Sequence, residues 1–312
     1  MKCVVADVDT ESGRVVGDAK ASISKTVLFT KDLQNGGGHN GGFSKEMMKE
    51  GADSLSTLLK ETEHLNPDQT AAVATEAFRK SSNGLTFARD LGAMLSVPVH
   101  VASATEEAMF GFHSACLSSN ASPEQLAAWD CGAGSFQLST LHHGCHSDCH
   151  GSGTTAALAA SIIDNQSGIG PDELHQLLME RLRESFVPMP DDLAQFVRTN
   201  QVVAIGSQHS MFNQQYILSG NNTFSCSDVR NTIAEVVSVE SHLLPELELA
   251  RSIIHGDADD QDTDRCSENA TYMLPKLTLL LAAMEHLQVD EVIFHKTKGN
   301  CEALLSQPKY WS

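Results

Sequence analysis

The chain has 312 residues, of which 41% are hydrophobic and 20% are charged, and its formal net charge is −19 at pH 7. This length and composition are typical of a globular protein with two domains. No basic stripe follows any periodic element, which argues against a nucleic-acid partner, because such binding needs Lys and Arg side chains that displace counterions.

The acidity also constrains any anionic substrate. A polyanion in a negative field needs local compensation from backbone N–H groups, a few cationic side chains or a metal ion. No run of about 18 apolar residues is present, and the amino terminus reaches Asp7 too early for a signal-peptide core. We therefore expect a cytoplasmic protein with no membrane association, whose cysteines are reduced thiols.

Short apolar strands alternate with helical segments, which predicts an α/β protein with a mostly parallel sheet. The predicted strands cover residues 4–8, 13–16, 23–29, 71–75, 97–101, 126–130, 202–205 and 291–294. One predicted helix begins after Ser44 as its N-cap, a second helical segment follows the strand at 71–75 and ends at Met94, and a third helix covers 106–117. Further helices begin at Thr154 and at Pro171, another covers 274–287, and a short last helix begins at Gly299. The glycine-rich stretch 35–42 and the acidic stretch 257–264 are predicted to be loops.

Small and polar residues at 118–123 are typical of a linker. We place a domain boundary there, which predicts an N-terminal domain over residues 1–118 and a second domain over 119–312.

The most informative local motif is WDCGAGS at residues 129–135. An apolar strand ends at Asp130 and is followed by Gly132, Gly134 and Ser135. Glycines let the backbone approach a ligand closely, and consecutive N–H groups can form a nest for an anion. An acid at the carboxyl end of such a strand lies where α/β folds place their sites. An ordinary glycine-rich turn is the alternative interpretation.

Several segments, in the same order, resemble motifs of the exopolyphosphatase and guanosine pentaphosphate phosphohydrolase (Ppx/GppA phosphatase) family. Residues 130–135 resemble its second phosphate loop, Asp-x-Gly-x-Gly-Ser. The segments AVATEAFR at 72–79 and ASATEEA at 102–108 are similar to its Ala-Thr-x-Ala-Leu-Arg and Ser-Gly-x-Glu-Glu-Ala motifs. Residues 203–206 fall where the family has its third glycine-rich loop, and 274–304 match its closing helix, strand and turn.

The resemblance covers nearly the whole chain from about residue 27 and implies the fold of the sugar kinase/Hsp70/actin superfamily. That fold has two actin-like, ribonuclease H-like domains with mixed, mostly parallel sheets and flanking helices, and its last helix packs back on the first domain. The implied activity is hydrolysis of terminal phosphoanhydride bonds in inorganic polyphosphate or guanosine pentaphosphate, with release of orthophosphate. Relatives of this type often form dimers, so a homodimer is an open alternative.

The resemblance also implies roles for single residues. Glu107 matches the catalytic glutamate that positions or deprotonates the attacking water. Arg79 matches a phosphate-binding arginine, whose fork suits phosphate oxygens. Asp130 is expected to hold Mg²⁺ or another divalent cation, with water in between. The phosphate cradle is expected to consist of Gly132, Gly134, Ser135 and Gly206.

Four departures from the family pattern favour a second hypothesis, a phosphate-binding or nucleotide-binding relative without turnover. The family's first phosphate loop, Asp-x-Gly-Ser-x-Ser, has no clear counterpart, since residues 2–9 resemble the strand after it. Gln137 stands where the family has a second acid, and glutamine cannot act as a base. The third loop, from Gly206, lacks its second glycine pair, and Met109 replaces an arginine.

Two other constellations compete with this interpretation. Asp7 and Asp9 after an apolar strand resemble the aspartyl-phosphate motif of haloacid dehalogenase-like phosphatases, but the match covers only four residues and an ordinary strand end with a β-turn is the preferred explanation. The stretch HHGCHSDCH at 142–150 offers many soft ligands in an expected hairpin turn. It predicts a second metal site for zinc or copper, or a polar hairpin tip without one. The candidate ligands are His142, Cys145, His146, Cys149 and His150.

Overall fold

A computed structural model of the chain describes residues 1–11, 14–119, 121–166, 168–207, 210–238, 263–297 and 299–311. The chain divides into two compact units, Met1–Leu117 with Lys298–Ser312, and Ser118–Thr297. Most of the predicted acidic loop, residues 257–262, lies outside the described residues. In the part of the chain that the structure describes, no helix is long and apolar enough to cross a bilayer.

The first unit contains two small sheets and flanking helices. Its strands are β1 (Lys2–Asp9), β2 (Arg14–Ser24), β3 (Ala72–Ala74) and β4 (Val99–Val101). Its helices are α1 (Phe29–Gln34), α2 (Lys45–Thr62), α3 (Glu76–Lys80), α4 (Gly84–Leu95), α5 (Ala104–Ser119) and α12 (Cys301–Leu305), with 3-10 turns at His39–Gly41, Glu63–Leu65 and Pro308–Tyr310. The β1–β2 pair is antiparallel and the β3–β4 pair is parallel.

The strand predicted over residues 23–29 is wrong for most of its length, because β2 ends at Ser24 and α1 begins at Phe29. The reason is tertiary. The Phe29 ring packs 5.0 Å from the rings of both Phe43 and Phe78, in a cluster that also contains Phe87. Such aromatic contacts add to the burial of apolar area and override the local strand pattern. The cluster also anchors α3, which carries Arg79 next to the buried Phe78.

The second unit is built around one six-stranded sheet. Its strands are β5 (Leu126–Cys131), β6 (Phe136–Thr140), β7 (Cys145–Asp148), β8 (Gln201–Gly206), β9 (Thr223–Ser225) and β10 (Glu291–Lys296). Its helices are α6 (Ser152–Asn165), α7 (Pro171–Ser185), α8 (Asp191–Thr199), α9 (Met211–Ser219), α10 (Cys226–Ser238) and α11 (Thr263–Leu287), with a 3-10 turn at Pro123–Gln125.

The strand order is β7-β6-β5-β8-β10-β9. The strands β5, β8 and β10 run parallel through the middle of this sheet, and antiparallel strands flank them. The predicted α/β class with mixed sheets and flanking helices is confirmed. In both units an antiparallel pair of strands comes before a parallel pair in the chain. These are β1–β2 and then β3–β4 in the first unit, and β6–β7 and then β8–β10 in the second.

The core of the second unit lies between its sheet and α11. Leu277, Leu280 and Met284 of this helix are fully buried, as are Trp129 of β5 and Leu178 of α7. Full burial of one such side chain contributes roughly 1.5–3 kcal/mol. The apolar helix predicted over 274–287 is therefore confirmed as a core element, and it fixes the sheet whose strand ends carry the predicted site.

Candidate functional site

The turn between β5 and β6 is closed by a hydrogen bond from the Gly132 N–H to the Ser135 carbonyl, at 2.9 Å. The helix α6 begins directly against this turn. The Ser152 N–H donates to the Gly132 carbonyl at 3.0 Å, and the Gly153 and Thr154 N–H groups donate to the Ala133 carbonyl at 2.8 and 3.0 Å. The turn carbonyls therefore satisfy N–H groups that a helix otherwise leaves unpaired at its first turn.

The contact between turn and helix depends on Gly151. A β-carbon at this position would lie 2.6 Å from the Gly132 oxygen, the Ala133 carbonyl carbon and the Ser135 nitrogen. Gly132 itself is under no such constraint, since its β-carbon would meet only the Ser135 oxygen at 3.6 Å. Sequence reasoning assigned Gly132 and missed Gly151, although the glycine pair at 151 and 153 was visible as a signal.

The backbone N–H groups of Ala133, Gly134 and Ser135 have no hydrogen-bond acceptor among the residues that the structure describes. Three consecutive N–H groups of this kind can form a nest for an anion. The Ser135 hydroxyl oxygen accepts a hydrogen bond from Gln137 Nε2 at 2.8 Å, which leaves its O–H able to donate to a ligand. The turn therefore presents donors, as a phosphate cradle requires.

Asp130 lies half-buried near the end of β5, opposite Gln137 of β6 and Ile205 of β8. Because β5 and β8 are parallel neighbours, Gly206 and the turn at 132–135 leave the sheet at the same edge. The structure thus places Asp130, the turn at 132–135 and Gly206 at one edge of the sheet. Gln137 is the cross-strand partner of Asp130 and carries an amide oxygen, and oxygen ligands are those that Mg²⁺ prefers.

The third predicted loop is anchored at both ends. The Gly206 carbonyl accepts a hydrogen bond from the Thr297 N–H at 2.8 Å, and a β-carbon on Gly206 would lie 2.6 Å from Ser210 Oγ. Ser210 in turn caps α9 by accepting from the Asn213 N–H at 3.2 Å. Residues 208 and 209 of this loop lie outside the described residues.

Lys276 is a charged residue near this site that sequence reasoning missed. It is only 6% exposed and lies on α11, the apolar core helix. Burial, followed by the nearby Asp130 charge, raises the pKa of the Cys131 thiol to about 12, whereas the charge of Lys276 acts to lower it. Lys276 therefore supplies positive charge close to Asp130 and Cys131. A single lysine within the otherwise uncharged run 273–284 was the available signal.

In the first unit, Arg79 and Glu107 form an ion pair, with 2.6 Å between Nη2 and Oε2. The two side chains are 24% and 11% exposed. Arg79 also donates from Nη1 to the Ala102 carbonyl at 2.7 Å, which fixes the guanidinium plane. The two residues predicted for phosphate binding and for water activation are thus direct partners, although 28 positions separate them in sequence.

The neighbouring Glu106 has a structural role. The Ser103 N–H donates to Glu106 Oε2 at 2.9 Å and the Glu106 N–H donates to Ser103 Oγ at 3.2 Å, which forms a capping box at the start of α5. The Tyr310 hydroxyl also donates to Glu106 Oε1 at 2.7 Å. The Ser103 N–H, together with Tyr310, holds the pKa of Glu106 at about 2. This arrangement separates Glu106 from Glu107, which faces Arg79.

The predicted soft-metal ligands are divided by the alternation of β7. Cys145 is exposed on one face of the strand, whereas His146 and Asp148 are buried on the other. Among the described residues, ligand atoms converge only at Asp148, Cys149 and His150, within 4.8 Å of one another. Sequence reasoning missed Asp148 and included His142, Cys145 and His146, which do not join this group.

The alternative nucleophile motif, Asp7 and Asp9, occupies the last residues of β1. Asp7 is paired with Val16 in the β1–β2 ladder, and its 62% exposed side chain forms an ion pair with Lys20 at 2.5 Å. A nucleophilic aspartate needs an adjacent activating group in a shielded site. This surface position therefore does not support the dehalogenase-like interpretation.

Comparisons with known proteins identify the family and the fold. The Ppx/GppA phosphatase family model matches residues 18–252. The structure is similar to that of the Aquifex aeolicus Ppx/GppA phosphatase type II variant, with a TM-score of 0.67, 14% identity and coverage of 98% of this chain and 94% of that one. It is also similar to an exopolyphosphatase from Cytophaga hutchinsonii, with a TM-score of 0.65, 14% identity and coverage of 96% and 92%.

A third similar structure is an exopolyphosphatase-like protein, with a TM-score of 0.69, 13% identity and coverage of 98% of this chain and 93% of that one. At these identities the structural likenesses show the fold, and they confirm the predicted actin-like class. The family model covers more than half of the chain. By this match, the chain belongs to the Ppx/GppA phosphatase family.

Proposed function

We propose that this chain hydrolyses terminal phosphoanhydride bonds of inorganic polyphosphate or guanosine pentaphosphate and releases orthophosphate. Family membership supports a phosphatase in general. The observation that carries the proposal for this chain is the turn at 132–135. Its three consecutive N–H groups lack acceptors among the described residues and lie at the sheet edge where Asp130 and Gly206 also lie.

In this proposal Gly132, Gly134, Ser135 and Gly206 form the phosphate cradle. Backbone N–H groups suit this role in an acidic chain, because they supply positive dipoles that need no net charge. Ser135 adds a hydroxyl donor, since its oxygen already accepts from Gln137. Lys276 would reduce the local negative charge near Asp130.

Glu107 and Arg79 carry the proposed roles of the first unit. Glu107 orients a water molecule and accepts its proton as the water oxygen attacks the terminal phosphorus. The bond from phosphorus to the bridging oxygen breaks, and that oxygen leaves with the shortened chain. The Arg79 guanidinium has five N–H donors, so it can hold Glu107 and the Ala102 carbonyl and still donate to phosphate oxygens.

Mg²⁺ fits the residue types at the end of β5, since the cross-strand partners Asp130 and Gln137 supply one carboxylate and one amide oxygen. Magnesium is commonly held by one or two carboxylates together with water and substrate phosphates. When bound, the ion would neutralise charge on the phosphate oxygens. We propose Asp130 as its anchor in this chain.

A second candidate function is phosphate or nucleotide binding without turnover. Gln137 favours it, because the side chain at this position donates to Ser135 and cannot bring negative charge to a metal or accept a proton. In this alternative the cradle keeps its affinity for phosphate, while the chemical step is lost.

The test is orthophosphate release from long-chain polyphosphate, and separately from guanosine pentaphosphate, in the presence of Mg²⁺. Glu107→Gln removes the proposed base and keeps the hydrogen-bond geometry with Arg79. The matched control is Glu106→Gln, since glutamine is also a good residue in a capping box. We expect Glu107→Gln to lower kcat by about 10²–10⁴-fold and Glu106→Gln to leave it nearly unchanged.

Polyphosphate binding is measured in the same preparations by calorimetry. Binding without release from the wild-type protein would favour the degenerate relative. Release that survives Glu107→Gln would remove the proposed role of Glu107. A wild-type protein that shows no binding and no release would contradict both candidate functions.

A further inference from the structure

The segment after β7 contains three adjacent side chains that the proposed phosphatase chemistry does not use. Asp148 is fully buried at the end of the strand, Cys149 is exposed, and the His150 side chain is 15% exposed. All three lie in the second unit, where Asp148 contacts Val187 and His150 contacts Ser185 and Phe186, at the end of α7 and directly after it. Their hydrogen bonds determine what this cluster can bind.

The hydroxyl of Ser185 is the partner of His150 Nε2, at 3.0 Å. Ser185 can donate its hydrogen to the Arg181 carbonyl at 2.7 Å, one helical turn earlier. In that arrangement its oxygen accepts from Nε2–H, and the lone pair of the neutral ring is on Nδ1, as a metal ligand requires.

His150 Nδ1 faces Asp148 Oδ1 in direct contact. The two atoms can share a ring hydrogen on Nδ1 or, after moving apart, bind one metal ion together. Asp148 is already oriented for either, because its Oδ2 accepts from the Val187 N–H at 2.8 Å and its Oδ1 from the His150 N–H at 3.1 Å. The carboxylate and the ring are therefore held in place before a cation binds.

The thiol of Cys149 adds a third donor atom beside this contact. Its Sγ lies 3.9 Å from His150 Nδ1, close to the edge of about 3.6 Å that follows from tetrahedral zinc with bonds of about 2.3 Å to sulfur and about 2.0 Å to nitrogen. Oxygen, nitrogen and sulfur donors within 4.8 Å of one another suit zinc or a similar soft ion. Magnesium and calcium prefer oxygen alone.

The surroundings also match those of known metal sites. A histidine ligand usually donates its other ring N–H to a fixed acceptor, and here Ser185 Oγ lies 3.0 Å from Nε2 and can serve as that acceptor. The ring is further held by Phe186, with 5.2 Å between centroids and an interplanar angle of 83°. Cys149 leaves the outer side of the cluster open to a water molecule as fourth ligand.

We propose that Asp148, Cys149 and His150 bind one zinc-class divalent ion through Oδ1, Sγ and Nδ1. The ion connects the end of β7 to the segment after α7, since the outer contacts of the ligands reach Ser185 and Val187. This site is separate in its residues from the phosphate cradle and does not depend on the proposed function.

Cobalt substitution tests the proposal directly. Titration of the metal-free full chain with Co²⁺ is expected to produce a thiolate-to-cobalt charge-transfer band in the near ultraviolet and tetrahedral bands in the visible, all removed by one equivalent of Zn²⁺. Cys149→Ser should abolish the charge-transfer band. Cys145→Ser is the matched control, because Cys145 is an exposed cysteine on the other face of β7, and this variant should keep the band.

Zn²⁺ should also raise the thermal midpoint of the wild-type chain and of Cys145→Ser more than that of Cys149→Ser, because a ligand that binds only the folded state stabilises it. No cobalt bands at one equivalent would overturn the proposal, as would a charge-transfer band that survives Cys149→Ser or depends on Cys145. Both cysteines are exposed, so neither serine variant is expected to unfold the protein.

Discussion

Replacement of Gly151 by alanine tests the contact between α6 and the turn at 132–135. The added β-carbon would lie 2.6 Å from three backbone atoms, where ordinary contacts begin at 3.4 Å. The backbone of Gly151 is extended, with φ −132° and ψ 178°, so alanine adopts it without strain and the whole effect is steric. Relief requires α6 to move away from the turn.

The expected loss of stability is about 2–3 kcal/mol. Overpacking costs about 1–3 kcal/mol, and the N–H bonds from Ser152, Gly153 and Thr154 to the turn contribute about 1 kcal/mol each when fully made. Gly170 is the matched control, because it is also an N-cap glycine, at the start of α7, and its β-carbon would meet nothing within 4 Å. Gly170→Ala should cost less than about 1 kcal/mol, the N-cap preference of glycine over alanine, which both variants lose alike.

Urea unfolding is followed by tryptophan fluorescence in a Trp311→Phe background. The chain has two tryptophans, so the remaining signal comes from Trp129, which is fully buried in β5 beside the turn. Free energies of unfolding that agree within about 0.5 kcal/mol for Gly151→Ala and Gly170→Ala would refute the reasoning. If polyphosphate is hydrolysed, Gly151→Ala should also raise KM more than it lowers kcat, since the turn carries the proposed cradle.

Arg79→Ala should destabilise the first unit by about 1–3 kcal/mol, because it leaves Glu107 mostly buried without this partner. This loss is smaller than that of a fully buried ion pair, since both side chains keep some exposure to water. An unchanged urea midpoint of the Trp311 signal would contradict this. Leu178→Ala should cost about 2–5 kcal/mol because Leu178 is fully buried in the second core, whereas Leu85→Ala, at a position 70% exposed, should change stability little; equal midpoints in urea would argue against the described core. The folded pKa of Glu106 is about 2, below its ordinary value of 4.5, so its contribution to stability is present above pH 4.5 and is lost as the pH falls toward 2. The difference in thermal midpoint between wild type and Glu106→Gln should therefore shrink as the pH falls from 6 to 3, and a constant difference would contradict the capping role.

Much of the local structure could be predicted from the sequence, because it depends on neighbouring residues. Ser44 caps α2 by accepting from the Met47 N–H at 3.1 Å, as its position before an amphipathic stretch predicts. Pro171 is the first residue of α7, and β5 runs into its glycine-rich turn as the pattern at 126–135 indicates. These features follow from hydrogen-bonding groups and backbone freedom within a few positions.

Family membership could also be recognised from the order of short motifs, since each motif keeps its residue types together. The roles of Glu107 and of the cradle residues stay predictions until activity is measured. The same holds for the boundary placed after residue 118 as a division between independently folding domains.

Contacts between residues far apart in sequence were decided by the tertiary structure. The local sequence around Phe29 predicts a strand, but Phe29 lies in a helix, because Phe43 and Phe78 offer its ring a buried contact. Lys276 approaches Cys131 only because α11 packs against the sheet.

The candidate metal ligands at 142–150 also show which features the sequence predicts and which the fold decides. The sequence by itself determined that soft ligands gather at 142–150, because composition needs no fold. Which of them converge depends on the phase of β7, which is set by its pairing with β6. That pairing buries Asp148 beside His150 and exposes Cys145 on the opposite face, since successive side chains of a strand point in opposite directions.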